Sequence, residues 1–391
     1  MTPQARAQAA IELLDAIITA AREGGAAADT LIARYFAARR YAGSKDRRAV
    51  RELVYAAIRR AGAVPTSGRA ALIGLAEDDP ALARLFDGSV HAPAPIAPNE
   101  QGAEAGVAPA WLTQALRESG LGDDDLPALV DRAPLDLRVN PQRANVAEVR
   151  AVLPDAEPIA GLPLALRLPH GTPVEALPLY QQGGFEVQDA GSQAVSLAAD
   201  VARRAVIDLC AGAGGKTLAL AAQGAGPILA CDVDRARLSR LGPRAARAGV
   251  TVETRLLDPG QEAAALADWR ARADWVVIDA PCSGTGTWRR NPEARWRLTP
   301  ARLDRLVQTQ ARLLDLASGL VAPGGAALFI TCSLLDAEGA DQAAGFLARH
   351  PAWRPEPIAL PLGAPHGLGW RLHPARDSTD GFFVARLRAP C

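Results

Sequence analysis

The sequence predicts an all-helical N-terminal domain, a small α+β unit and a C-terminal α/β domain built on a doubly wound sheet. Three observations support this division. Apolar residues recur at helical spacing near the N-terminus, and a region rich in proline, alanine and glycine follows. From about residue 186, short apolar strands alternate with helical segments. Such alternation is typical of a parallel sheet covered by helices on both faces.

The composition excludes several classes of protein. Of the 391 residues, 49% are hydrophobic, which is enough for two or three packed domains. No apolar run is long enough to span a membrane, and the N-terminal segment carries early acidic residues, unlike a signal peptide. The five cysteines form no CxxC pair, which argues against a disulfide framework and a zinc cluster. We expect a cytoplasmic protein with no metal site and no membrane partner.

Charge is balanced overall but clustered locally. The net charge is zero, yet residues 31–60 hold nine basic and two acidic residues, and residues 289–312 hold seven and two. Such clusters fit a polyanionic partner such as nucleic acid. A solvated helix face is the alternative interpretation of either cluster.

The first half of the chain is interpreted as three segments. Residues 1–87 form an all-helical RNA-binding domain, and 88–109 lack any periodicity and form a linker. Residues 110–185 form the α+β unit, in which LDLRVNP at 135–141 alternates like a strand and NVAEVRAVL at 145–153 is a short helix.

The α/β domain is expected to cover residues 186–391. Helices are predicted at 217–223 and 235–249. The predicted strands are AVIDL at 205–209, PILACDVD at 227–234, TVETRLLD at 251–258, WVVIDAP at 275–281 and GGAALFITCS at 324–333. In a sheet of this kind the ligand lies at the carboxyl ends of the strands, and the candidate chemical residues all follow strand ends.

A glycine-rich turn follows the first of these strands. Glycines let backbone amides approach an anion or a ribose closely at the start of a helix. A P-loop is one interpretation, because Gly215, Lys216 and Thr217 fit its end, but Cys210 occupies its first glycine position. The alternative is a binding site for S-adenosylmethionine, formed by Cys210, Ala211, Gly212, Ala213, Gly214, Gly215 and Lys216.

Acidic residues end three successive strands. Asp208 precedes the glycine turn, Asp232 follows 24 residues later, and Asp258 ends the third strand. A carboxylate in the position of Asp232 can accept hydrogen bonds from both ribose hydroxyls. Asp258 is expected to face the adenine. Either acid alone would be an ordinary turn residue, but three at successive strand ends favour a nucleoside site.

Two cysteines also follow strand ends. Cys282 follows the fourth strand and Cys332 ends the fifth. Adjacent strands lie about 4.8 Å apart, so the two sulfur atoms are expected to converge on one pocket. Cys210 and Cys231 fit small buried hydrophobic residues, and Cys391 is assigned no role.

These motifs resemble a known family. DLCAGAGGKT, DAPCSGTG and TCS are similar to the motifs of the Sun family of RNA cytosine-5 methyltransferases, which includes enzymes acting on 16S ribosomal RNA. The similarity extends to GFEVQDAGSQ at 184–193, RRNPEARW at 289–296 and DGFFVARL at 380–387. SKDRRAVRELVYAAIRR at 44–60 resembles the antitermination-factor-like domain of the ribosomal-RNA branch. The family loop usually has Ala-Pro where this chain has Gly212 and Ala213.

The resemblance implies a Rossmann-like class I methyltransferase domain after an RRM-like unit, with S-adenosylmethionine as methyl donor. It implies that Cys332 is the nucleophile and that Cys282 helps to release the product. Asp279 would hydrogen-bond the cytosine edge and also border the cofactor, and Lys216 would orient this acid. The chemistry predicted is transfer of a methyl group to carbon 5 of cytosine through a covalent cysteine adduct.

The expected partner is RNA, with 16S ribosomal RNA favoured and transfer RNA an open alternative. Arg289, Arg290 and Arg295, with Arg297, are candidates for phosphate contacts, and Trp288 or Trp296 for stacking on a base. A non-catalytic ribosome-assembly factor is the main alternative from another class, but such a protein needs neither thiol. We expect a monomer, although no sequence feature determines the oligomeric state.

Overall fold

The computed structural model describes all residues from 1 to 391, and their contacts divide the chain into two compact units. A helical unit comprises residues 1–131 and 287–299. An α/β unit comprises residues 132–286 and 300–391. None of the helices combines the length and apolarity that crossing a bilayer requires.

The helical unit begins with helices whose ends are marked in the sequence. The Thr2 side chain accepts a hydrogen bond from Ala5 N at the first helix, and Gly24 ends that helix in the left-handed conformation. Leu14, Ile17 and other fully buried side chains form the core. The helices are α1 Pro3–Glu23, α2 Ala28–Ala37, α3 Ser44–Arg60, α4 Gly68–Asp78, α5 Pro80–Ala83 and α6 Ala110–Glu118.

The boundaries of this unit differ from the prediction in two places. Residues 88–109, predicted to be a linker, belong to the helical unit, where Glu100 pairs with Arg69 of α4. The second difference is α6, which was assigned to the α+β unit but falls in the helical one. A lack of periodicity therefore marked irregular backbone here, not a free connection between domains.

Residues 287–299 complete the helical unit from a distant part of the sequence. The Arg295 side chain is fully buried, and its guanidinium donates hydrogen bonds to the carbonyl oxygens of Ile58 at 2.6 Å, Ala61 at 2.9 Å and Arg59 at 3.1 Å. These are the carbonyls at the end of α3 that lack partners within the helix. Burial lowers the pKa of Arg295 to about 9, and Arg59 adds repulsion.

The α/β unit begins with a small antiparallel sheet that has its own core. Its strand order is β2-β3-β1-β4, and Leu137, Val139, Leu166 and Phe185 are fully buried within it. Asn145 forms a capping box with Glu148 at the start of its first helix. The elements are β1 Leu135–Val139, α7 Val146–Val152, β2 Glu157–Ile159, β3 Leu162–Leu168, α8 Pro178–Gln181 and β4 Phe185–Val187.

The main sheet has nine strands. The elements are α9 Ala190–Ser196, β5 Val206–Asp208, α10 Gly215–Ala222, β6 Ile228–Asp232, α11 Arg235–Leu238, α12 Leu241–Ala248, β7 Glu253–Leu256, α13 Glu262–Ala265, β8 Ala273–Asp279, α14 Pro300–Ser318, β9 Val321–Thr331, α15 Ala340–Arg349, β10 Arg354–Glu356, β11 Ala364–His366, β12 Gly369–Leu372, α16 Pro374–Asp377 and β13 Phe382–Arg388. The order is β11-β12-β13-β9-β8-β5-β6-β7, and β10 pairs with β13.

The part of this sheet from β9 to β7 is parallel, so its strands end at one edge. In register, Asp208 of β5 lies beside Val277 of β8, and Asp279 of β8 lies beside Ile330 of β9. This arrangement confirms the predicted fold class, a doubly wound α/β domain preceded by an all-helical region. All five predicted strands are present.

One predicted helix is divided. The segment 235–249 forms α11 and α12, with a break at Ser239 and Arg240. Pro243 lies in the first turn of α12, where it has no N–H to donate to the carbonyl of Ser239 and its ring would clash with that carbonyl. The break turns Leu241 toward the glycine turn, as described below.

We expect Arg295→Ala to lower the free energy of unfolding by roughly 2–4 kcal/mol, because several buried carbonyl oxygens lose their donor. Arg305→Ala, on the exposed face of α14, is the matched control and should change the free energy of unfolding by less than about 0.5 kcal/mol. Urea denaturation followed by circular dichroism measures both. Equal effects of the two substitutions would contradict a structural role for Arg295.

Candidate active site

A cleft of about 750 Å³ opens at the carboxyl edge of the parallel strands. Residues following β5, β6 and β8 line its floor, and Cys332 follows β9. One face of α14 forms a wall through Arg302, Leu306, Thr309 and Leu313, which recur every three or four residues. The cleft therefore lies where the topology of a doubly wound sheet predicts a ligand site.

The glycine turn between β5 and α10 borders this cleft. Gly212 has φ +56° and Gly214 has φ +86°, a conformation that residues with a side chain rarely adopt. A Cβ on Gly214 would lie 2.1 Å from Leu241 Cδ1, so this glycine also permits close packing of α12. A Cβ on Gly215 would meet no atom within 4 Å, which leaves the start of α10 open toward the cleft.

Asp232 connects the glycine turn to the end of β6. Its Oδ2 accepts a hydrogen bond of 2.6 Å from Gly212 N, and its Oδ1 accepts one of 2.7 Å from Asp234 N. A carboxylate has about four lone-pair directions, so the Asp232 oxygens can still accept hydrogen bonds from a ligand. Because Asp232 lines the cleft, it can bind two neighbouring hydroxyl groups there.

Lys216 and Asp279 form a charged pair within the cleft. Lys216 Nζ donates a 2.8 Å hydrogen bond to Asp279 Oδ2, and it lies 5.1 Å from the centre of the Phe382 ring. Burial alone would lower the pKa of Lys216, but the attraction and hydrogen bond to Asp279 raise it above its usual value. Lys216 therefore donates to the Asp279 carboxylate from a buried position and holds it in one orientation.

The two predicted cysteines meet in the same cleft. Cys282 Sγ lies 3.3 Å from Cys332 Sγ, within hydrogen-bonding distance for sulfur. The pKa of Cys282 is raised well above its usual value, first by the hydrogen bond with Cys332 and second by burial. The two side chains therefore share one sulfur–sulfur contact, in which either atom can be the donor.

Burial changes the pKa values of two further groups near the glycine turn, the thiol of Cys210 and the carboxyl group of Asp208. Burial raises the pKa of Cys210 well above its usual value, so this thiol is a poor nucleophile. Burial also raises the pKa of Asp208 to about 7, although Thr217 Oγ1 donates a 2.6 Å hydrogen bond to it. Asp208 ends β5 and Thr217 belongs to α10, so this hydrogen bond joins the two elements that flank the glycine turn.

The structure brings most of the predicted site residues together. The cleft is lined by Cys210, Ala211, Ala213, Gly215, Lys216, Asp232, Asp279, Cys282 and Cys332, all predicted from sequence. Gly212 and Gly214 form the adjacent turn. Asp258 differs, because it is exposed and does not line the cleft; the adjacent Leu257 does so instead.

The predicted RNA-binding arginines do not form one group. The prediction that Arg295 contacts RNA is wrong, because its guanidinium is fully buried and donates to backbone carbonyl oxygens. Arg289 is also buried, with 8% of its surface exposed, so a role in binding phosphate is not supported. Trp288 and Trp296 are both buried, which contradicts base stacking by either. Arg290 is half-buried and remains a prediction.

Sequence reasoning missed three features of the cleft. Val233 is 53% exposed beside Asp232 and presents an apolar surface to the cleft. Glu262 is buried there and pairs with Arg312 of α14 at 2.8 Å. The helical spacing of the α14 residues was visible in the sequence, but the direction in which that helix face points was not.

The chain is similar to ribosomal RNA methyltransferases. The sequence profile of the 16S rRNA methyltransferase RsmB/F family matches residues 195–388. Ribosomal RNA small subunit methyltransferase B of Klebsiella pneumoniae is 34% identical over 296 residues, covering 71% of this chain and 65% of the relative. The Xylella fastidiosa protein of the same name is 36% identical over 288 residues, covering 71% and 68%. The chain thus spans slightly less than two thirds of the Klebsiella relative.

Solved structures share the fold. The crystal structure of PH0851 superposes with a TM-score of 0.77 at 25% identity, covering 99% of each chain. NSun6 from Pyrococcus horikoshii, solved with SFG, gives a TM-score of 0.64 at 18% identity, covering 72% of this chain and 98% of that one. Identity at the latter level supports the fold alone.

We expect Gly214→Ala to destabilise the α/β unit by roughly 2–4 kcal/mol, through backbone strain and the clash with Leu241. Gly215→Ala is the matched control: the site is open and helical, so stability should stay within about 1 kcal/mol of wild type. Denaturant titration measures both values. Tolerance of alanine at position 214 would contradict the tight packing assigned to this turn.

Proposed function

This chain belongs to the 16S rRNA methyltransferase RsmB/F family, and on that premise we propose that it methylates carbon 5 of a cytosine in RNA. The family match confirms the resemblance identified from the motifs. The proposed substrate is 16S ribosomal RNA, and transfer RNA is the alternative. The observation that carries the proposal is the pair of thiols 3.3 Å apart, in one cleft with the Lys216–Asp279 pair.

The cleft fits S-adenosylmethionine as methyl donor. The open start of α10 at Gly215 accommodates a ligand close to the backbone, and Asp232 offers carboxylate oxygens to the ribose hydroxyls. Val233 and Leu257 provide apolar surface for the adenine. When bound, S-adenosylmethionine supplies the electrophilic methyl group that carbon 5 takes up. The P-loop alternative is disfavoured by the missing glycine at Cys210.

Cys332 is proposed as the nucleophile. Carbon 5 of cytosine is a weak nucleophile, and addition of a thiolate to carbon 6 makes the ring an enamine whose carbon 5 is reactive. The hydrogen bond with Cys332 and burial raise the pKa of Cys282, which makes Cys282 poorly suited to attack as a thiolate, so we assign the attack to Cys332. Lys216 lines the same cleft as Cys332 and places a positive charge near this sulfur.

Asp279 is proposed to bind the edge of the cytosine. Its carboxylate can accept hydrogen bonds from the exocyclic amine and from the ring nitrogen when that atom is protonated. Addition of sulfur to carbon 6 places electron density on this edge of the ring, which a proton on the ring nitrogen neutralises, and the Asp279 carboxylate holds that proton by accepting its hydrogen bond. Lys216 fixes Asp279 through the 2.8 Å bond, so the base is held in one orientation above Cys332.

Cys282 is proposed to act in product release. After methyl transfer the proton on carbon 5 passes to water, and the electrons of the carbon–sulfur bond return to Cys332. The departing sulfur becomes a thiolate, which Cys282 stabilises through its S–H hydrogen bond. The high pKa of Cys282 keeps this proton available.

RNA binding is proposed to involve the exposed basic residues of the helical unit and Arg290. Extruding the target base from its stack costs a few kcal/mol, which phosphate contacts can offset. Exposed basic side chains in this region include Arg40, Lys45, Arg48 and Arg51. A ribosomal-RNA substrate would be identified by bisulfite sequencing of total RNA with and without the gene.

We expect Cys332→Ala to reduce methyl transfer to an RNA transcript by about 10³-fold or more, because no adduct can form. Binding of S-adenosylmethionine, measured by calorimetry, should stay within about threefold of wild type, because this sulfur contacts the base. Cys391→Ala, at an exposed position, is the control. Retained turnover in Cys332→Ala would refute the assignment.

We expect Cys282→Ala to accumulate a covalent protein–RNA adduct, because release is impaired while attack by Cys332 continues. The adduct appears as a band of reduced mobility that survives denaturation. Adding Cys332→Ala in the same chain should abolish the band. A band that persists in that double variant would show that another residue forms the adduct.

A further inference from the structure

Glu338 is a buried acid that the proposed chemistry does not use. Its side chain has no exposed surface, and it forms no ion pair among the described residues. Removing a carboxylate from water is costly unless hydrogen-bond donors replace the water. The donors that surround Glu338 therefore indicate which part of the structure this acid organises.

The donors to the Glu338 carboxylate come from the loop that contains Cys282 and from α14. Oε1 accepts hydrogen bonds from Ser283 N at 2.8 Å and from Gln310 Nε2 at 3.0 Å. Oε2 accepts a hydrogen bond from Ser283 Oγ. Because Ser283 directly follows Cys282, both of its donors link the Cys282 loop to one acid.

The other side of Cys282 is held in the same way. Gln310 Nε2 also donates to the carbonyl oxygen of Pro281 at 2.9 Å. Gln310 thus binds the residue before Cys282, and Glu338 binds the residue after it. Gln310 and Glu338 are also hydrogen-bonded to each other. Cys282 has one free torsion that places its sulfur, so fixing the backbone on both sides confines the position of that atom.

Glu338 is connected to the Cys332 loop as well. Its carbonyl oxygen accepts a 3.1 Å hydrogen bond from Thr331 Oγ1, next to Cys332. Ser333 Oγ lies 3.2 Å from Ser283 Oγ, and Gly286 N donates to the carbonyl oxygen of Cys332 at 3.0 Å. The two loops are therefore joined by buried polar contacts on which the sulfur separation depends.

We propose that Glu338 is a positioning residue that holds Cys282 against Cys332, so that product release follows methyl transfer. This inference rests on the proposed function, because the role of Cys282 in release belongs to it. The acid touches neither sulfur atom. It acts through Ser283 and Gln310, and its loss would let the Cys282 loop move away while Cys332 remained able to attack.

The first test measures the position of the thiols without RNA. A disulfide requires the sulfur atoms to approach from 3.3 Å to about 2.05 Å. Treatment of the full chain with diamide should form the Cys282–Cys332 disulfide, detected as a linked peptide by mass spectrometry. Glu338→Ala should form it about tenfold or more slowly, because the loop no longer keeps the sulfurs together.

The second test measures the ratio of covalent adduct to methylated product on a 16S rRNA transcript. Glu338→Ala should raise this ratio about tenfold or more, resembling Cys282→Ala, with the cofactor affinity unchanged. Glu338→Gln should raise the ratio by an intermediate amount, because its remaining side-chain oxygen can still accept a hydrogen bond from Ser283 N. Adding Glu338→Ala to Cys282→Ala should change the ratio no further, since both act on one step.

Asp336→Asn is the matched control. Asp336 lies in the same turn as Glu338, but its carboxylate faces His366 at 2.5 Å and Arg371, away from the thiols. This variant should behave as wild type in both tests. A wild-type disulfide rate in Glu338→Ala would overturn the positioning role whether or not RNA is methylated. An inactive wild type with a slowed Glu338→Ala disulfide would instead refute only the proposed function.

Discussion

The parallel pairing of β8 with β9 is the constraint on which the site depends. Asp279 lies in register with Ile330, so the chain leaves both strands at the same edge, one strand spacing apart. Cys282 lies three residues beyond Asp279, and Cys332 two beyond Ile330. Both strands are buried in the centre of the sheet, which makes a slip of register costly because every side chain would change face.

The polar groups around this edge share one energetic problem. Lys216, Asp208 and Glu338 are all buried, and each requires a partner to offset the loss of water. Lys216 has an opposite charge as its partner, and Glu338 has neutral donors. Asp208 has one hydroxyl donor at Oδ2 and none at Oδ1, and its pKa is raised to about 7 by burial. The same partners hold the candidate site residues in place, so the contacts that satisfy the buried polar groups also orient the site.

In the helical unit, a buried arginine likewise requires partners that replace water. A run of arginines near a catalytic motif favoured RNA contacts, yet Arg295 is buried against the carbonyls that end α3. A guanidinium with five donors suits either phosphate oxygens or a group of carbonyl oxygens. Its surroundings decide between them, and those come from residues more than 200 positions away in the chain.

The sequence by itself determined the α/β class, the five parallel strands and most of the candidate site residues that line the cleft. It did so because strand ends in a parallel sheet meet at one edge, so local patterns sufficed. Tertiary structure alone decided the burial of Arg295, the exposure of Asp258 and the buried hydrogen bonds of Glu338. Each depends on which distant groups surround one polar side chain, and the burial of a single polar residue leaves no period or motif in the sequence.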